Sequence, residues 1–167
     1  MDSNRPRILV LGIGNPLAGD EGIGIHVIER IQKQELPPNV RVVDGGTGGI
    51  DLVQFLEECD CAVVVDAADM KAPPGTCRVF SLDEVDAMGR SSTMSLHQAD
   101  FPSVVRLTRM LTRCPDVIRV VGIQPEVLRW QTTLGPMLTS KFDEIVDRVL
   151  AEVESCQHMT PLVAQAT

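Results

Sequence analysis

Three short apolar runs in this chain each give way to an acidic or glycine-rich turn. Ile8-Leu9-Val10-Leu11 leads into Gly12-Ile13-Gly14-Asn15-Pro16-Leu17-Ala18-Gly19-Asp20-Glu21-Gly22-Ile23-Gly24. Val40–Val43 leads into Asp44-Gly45-Gly46-Thr47-Gly48-Gly49, and Ala62–Val65 leads into Asp66-Ala67-Ala68-Asp69. The carboxyl ends of parallel strands share one sheet edge, where ligands bind. That topology would let Glu21, Asp44 and Asp66 converge, provided that the first and third strands lie close together. Ending the wholly apolar run before Asp66 in a carboxylate costs desolvation unless the group is paired or holds a cation. Of three histidines, His158 falls in the tail and His26 among helix residues, whereas His97 closes a long polar stretch just before a helix. His97, Glu21 and Asp66 make a one-histidine, two-carboxylate set. Such a set suits a divalent transition metal with open positions, and the imidazole argues against magnesium or calcium.

Each residue also has a purely structural role available. Asp20 can cap the first helix, because a carboxylate is favoured at a helix N-terminus. Asp44 can close its own glycine turn through side-chain to backbone bonds. His97 can simply be solvated. The glycine run is not a dinucleotide fingerprint: Leu17 holds the third glycine position, and the Asp20-Glu21 pair would repel a pyrophosphate. No nucleophile elbow or Walker pattern is present, and no cysteine sits in a recognisable helix-start context beside a histidine.

The elements that must position these residues alternate along the chain. Strands are predicted at Ile8–Leu11, Val40–Val43, Ala62–Val65, Cys77–Phe80 and Ile118–Ile123, several of them apolar throughout. Helical periodicity fills Gly22–Gln34, Ile50–Cys59, Asp100–Thr112 and Ser140–Glu154. Asp100 with Pro102 predicts one helix start, and Ser140 with Asp143 predicts a capping box at another. The pattern predicts an α/β fold: one domain with a mainly parallel, twisted five-stranded sheet and helices on both faces. Residues 1–155 are assigned to that domain and 156–167 to a mobile tail. Leu82–Ala87 can form a helical turn, but Met88–Leu96 lacks periodicity, and a loop of that length is usually functional or disordered.

With 167 residues, 44% apolar, the chain has the composition of one globular domain. A formal net charge of −8 with scattered basic residues argues against nucleic acid as a partner. No apolar run approaches the ~20 residues of a spanning helix, and the N-terminus lacks a secretion pattern, so no membrane partner and a cytoplasmic location are expected. The five cysteines show no metal-site spacing and are expected to be free thiols.

Taken in order, five motifs resemble the hydrogenase maturation endopeptidases, which process the large subunit of nickel–iron hydrogenases. They are Gly12-x-Gly14-Asn15-Pro16-Leu17-x-x-Asp20-Glu21-Gly22-x-Gly24, Asp44-Gly45-Gly46-Thr47-x-Gly49, Asp66-Ala67, His97-Gln98 and Gly122-Ile123-Gln124-Pro125-Glu126. The resemblance runs from about Arg7 to Val153. It implies an endopeptidase that removes a C-terminal extension from the large-subunit precursor after nickel insertion, with nickel supplied by that precursor as the recognition mark. Carried over position by position, Glu21, Asp66 and His97 would bind nickel. Catalysis would fall to Glu21 and Asp66, with Asp44 the spare carboxylate for a water's proton. Whether the metal polarises the carbonyl or a carboxylate activates the water stays open. Two alternatives remain: a non-catalytic nickel-binding assembly factor, which would bind nickel without proteolysis, and a peptidyl-tRNA hydrolase-like enzyme, suggested by Gly-x-Gly-Asn-Pro and opposed by the acidic balance. Trp130, the only tryptophan, is either an interface anchor or a packing residue.

Overall fold

Where a strand sits in a sheet follows from how many of its faces are apolar. In the computed structural model, which describes residues 5–89 and 96–159, β1 (Ile8–Gly12) and β3 (Cys61–Ala67) are buried along their whole length. β2 (Val40–Asp44) and β4 (Cys77–Ser81) alternate with exposed arginines and lie at the edges, while β5 (Val117–Ile123) is inside. The order is β2-β1-β3-β5-β4, with β4 antiparallel to β5 and every other pairing parallel. β1 and β3 are therefore neighbours, as convergence of their turns requires.

Pleat parity divides the core in two. Ile8, Val10, Cys61, Val63 and Val65 meet α1 (Ile23–Ile31) and α6 (Phe142–Gln157) on one face. Leu9, Leu11, Ala62 and Val64 meet α2 (Leu52–Glu57), α3 (Leu82–Gly89) and α4 (Leu96–Leu111) on the other. Glycines let α1 settle on the sheet. A Cβ at Gly24 would lie 2.2 Å from the Ile13 carbonyl oxygen and 2.3 Å from that of Val65. The expected α/β sheet with helices on both faces is what forms. Among the described residues, no helix is long and apolar enough to cross a membrane.

Several local expectations are corrected. α4 begins at Leu96, not Asp100, and Pro102 lies inside it, so the Asp-then-Pro signal does not mark the start. Pro102 is the seventh residue of α4, so it removes the N–H that would pair with the Gln98 carbonyl, and the helix runs on through it. α3 reaches Gly89, which shortens the anticipated loop; residues 90–95 of it lie outside the described residues. A short helix, α5 (Pro136–Ser140), precedes α6 and replaces the capping box: the Ser140 hydroxyl donates to the Met137 carbonyl at 2.8 Å. Asp143 pairs instead with Arg30, at 3.0 Å. α6 runs on to Gln157, into the stretch expected to be tail, whose residues 160–167 lie outside the described residues. Cys61 of β3 and Cys156 of α6 are joined in a disulfide, so the expectation of five free thiols fails. The two cysteines are 95 residues apart, and only the packing of α6 across β3 brings them together.

Candidate functional site

Glu21 is held by a turn that folds back on itself. After β1, the Ile13 N–H donates to the Val65 carbonyl at 2.8 Å, which draws the chain toward β3. The Gly14 N–H then donates to Gly46 across the neighbouring turn, also at 2.8 Å. Gly14 has φ +147°, and a Cβ there would lie 2.1 Å from the Glu21 carbonyl oxygen. Only glycine lets the backbone pass so close. Residues Gly19–Gly22 form a single 3₁₀ turn at the start of α1, with Glu21 half-buried in it.

Asp66 continues the parity of Ala62 and Val64, so it leaves β3 on the α2–α4 face at the carboxyl edge. It is only 2% exposed, and its Oδ1 is buried with no hydrogen-bond partner. Burial first, and then the charge of Glu21, push its carboxyl well above the ordinary range, against the pull of the Ala67 N–H that donates to it. The structure thus brings Glu21 and Asp66 together as two interacting carboxylates. A shared cation would relieve both the desolvation and the repulsion.

Asp44 stands apart. It pairs in register with Gly12, which in turn pairs with Val65, so it lies two strand spacings, roughly 10 Å, from the end of β3. Its side chain is exposed, and Oδ1 accepts the Gly46 N–H at 2.8 Å, the turn-closing role. His97 falls in the first turn of α4, on the sheet face that Asp66 also faces, but its side chain lies outside the described residues. Among the described residues, no group of three His, Cys, Asp or Glu is gathered for a metal. Two of the three expected ligands are placed together.

This geometry sits on a chain with close relatives. Residues 25–155 match the HycI family of hydrogenase maturation proteases. The chain is 38% identical over 151 residues to the hydrogenase expression/formation protein HupD of Rhodobacter capsulatus, covering 89% of this chain and 72% of that protein. It is 34% identical over 147 residues to the hydrogenase 2 maturation protease of Escherichia coli, covering 87% and 89%. The fold is that of the E. coli hydrogenase maturating endopeptidase HybD, with a TM-score of 0.81 at 32% identity over 89% of this chain and 93% of that one. The chain belongs to the hydrogenase maturation protease family. It is an endopeptidase.

Two further residues of this protease do work that local sequence did not assign to them. Asp20, fully buried, does not cap its helix. Its Oδ2 accepts the N–H groups of Glu126 and Val127, each at 2.8 Å, and its Oδ1 accepts that of Gly135 at 2.6 Å. Gln124 is also buried, and its Oε1 accepts the Met70 N–H at 2.7 Å and the Ala72 N–H at 3.3 Å. The chain leaving β5 thus ties together the turn carrying Glu21 and the loop following Asp66. The Gly122-Ile123-Gln124-Pro125-Glu126 motif was visible in the sequence; its bracing role was not.

Proposed function

We propose that this protease removes the C-terminal extension of a nickel–iron hydrogenase large-subunit precursor, and that it reads the nickel carried by that substrate through Glu21, Asp66 and His97. The observation that supports this most is the Asp66 carboxylate, buried beside Glu21 with one oxygen unpartnered. A precursor whose nickel reaches this edge supplies the missing charge, so an empty precursor binds less well. The same contact places the peptide next to the metal-bearing region at the carboxylates, which fixes where it can be cut. Water would then attack the scissile carbonyl at a fixed place, with the metal polarising either that carbonyl or the water itself.

The test is the mass of the large subunit before and after incubation with the protease, with and without nickel loading. Loss of the extension only from the loaded precursor is expected. Equal cutting of both forms would overturn nickel recognition, and no cutting of either would overturn the processing role. Asp44→Asn keeps the Oδ1 acceptor for Gly46 while removing the charge. Because the Asp44 side chain is exposed and committed to its turn, this variant is expected to retain turnover within about 3-fold, well short of the 10²-fold or greater loss from removing a general base. A loss of that larger size would make Asp44 the proton acceptor.

A further inference from the structure

Leu128 and Trp130 are 65% and 80% exposed, yet the segment carrying them is firmly held. It follows β5, which is parallel to β3, and so leaves the sheet at the edge that carries Glu21 and Asp66. Asp20 binds its start through the Glu126 and Val127 N–H groups, and the Val127 carbonyl accepts the Asp20 N–H at 2.8 Å. At its far end, the Gln131 N–H donates to the Leu17 carbonyl at 3.0 Å, and the Gln131 carbonyl accepts the Gly19 N–H at 2.9 Å. Leu17, 43% exposed, is thereby set beside this arc, four residues before Glu21 in the same turn. Trp130 therefore does not pack into the core.

One exposed apolar side chain needs no explanation. Three of them on two hydrogen-bonded segments, contiguous with an active-site turn, form a patch of the kind that meets a partner. Tryptophan is a frequent energetic anchor of such contacts, and a pre-fixed backbone lowers the ordering cost of docking. We propose that residues 126–131 are a docking arm for the protein substrate, on which Trp130 and Leu128, flanked by Leu17, receive an apolar surface of the folded precursor next to its cleavage region. This rests on the functional reading above. The protein substrate is favoured over a second copy of this chain because Leu17 shares its turn with Glu21, and that turn is hydrogen-bonded to the arm, so the patch adjoins the edge where a protein would be cut. Docking on the arm then holds the precursor with its extension near the two carboxylates, contributing equally to substrate and transition-state binding.

The experiment is steady-state processing of the nickel-loaded precursor by wild type, Trp130→Ala, Leu128→Ala and the double variant, with the melting temperature and sedimentation of each. Trp130→Ala is expected to raise KM about 10-fold, and the double variant more, with kcat within about 2-fold and an unchanged melting temperature. An unchanged KM in the double variant overturns the arm. So does a fall in kcat at constant KM, or loss of a wild-type dimer without a change in KM. A wild-type protein that leaves the precursor uncut fails the functional reading itself. One that cuts, while the double variant cuts with the same KM, fails the arm alone.

Discussion

Asp66→Asn is expected to slow processing of a nickel-loaded precursor by at least about 10²-fold while making the chelator-treated protein more stable at pH 7. The two effects share one cause. An aspartate that is 2% exposed, has an unpartnered Oδ1 and faces the charge of Glu21 is costly to ionise in the folded protein. Its folded-state proton affinity is raised above the ordinary value of 3.8, so from near that pH upward the folded chain holds more protons than the unfolded one. Stability then falls as pH rises through the window and stays lowered above it. Asparagine does not ionise and escapes this loss. Its advantage should be absent below the window and largest above it, at roughly 2–4 °C of melting temperature per kcal/mol for a chain of this size. Thermal melts of both proteins at pH 4 and pH 7 provide the check. A variant less stable than wild type at pH 7 would mean that the carboxylate is already compensated within the protein, and the case for a cation from the substrate would lose its main support.

The carboxylate pair was legible because its placement follows from rules that act along short stretches. Ile8–Leu11 and Ala62–Val65 are apolar on both faces, which puts them inside a parallel sheet, and parallel strands send their following turns to one edge. Arg41 and Arg78 break the apolar pattern of β2 and β4, and both strands lie at the edges. Asp44 was legible as one of two roles, and it closes its own turn. Hidden features depend on distant partners. Asp20 reads locally as a cap, but the N–H groups it accepts belong to residues 106 to 115 positions away. The Cys61–Cys156 bond likewise spans 95 residues. At Pro102 a local start signal yielded to a helix already under way from Leu96, which runs on through the proline without that residue's N–H.

The adjacent carboxylates Asp20 and Glu21 should separate cleanly under isosteric substitution. Asp20→Asn leaves one oxygen for the Glu126 and Val127 N–H groups and turns an amide NH₂ toward the Gly135 N–H, so a donor faces a donor in a fully buried place. Losing one charged hydrogen bond and stranding two donors costs on the order of 3 kcal/mol, a fall of about 6–12 °C in melting temperature. Asp20→Ala, which strands all three N–H groups, should fall further. Glu21→Gln, in contrast, changes a half-buried side chain and is expected to stay within about 1 kcal/mol of wild type in urea unfolding. Its processing of a nickel-loaded precursor should nevertheless drop by about 10²-fold, because the neutral amide is a far poorer metal ligand. If Asp20→Asn unfolds at the wild-type urea concentration, the three backbone bonds do not hold the 126–135 segment. The arm bearing Trp130 would then lack the rigid base that sets its register against Glu21.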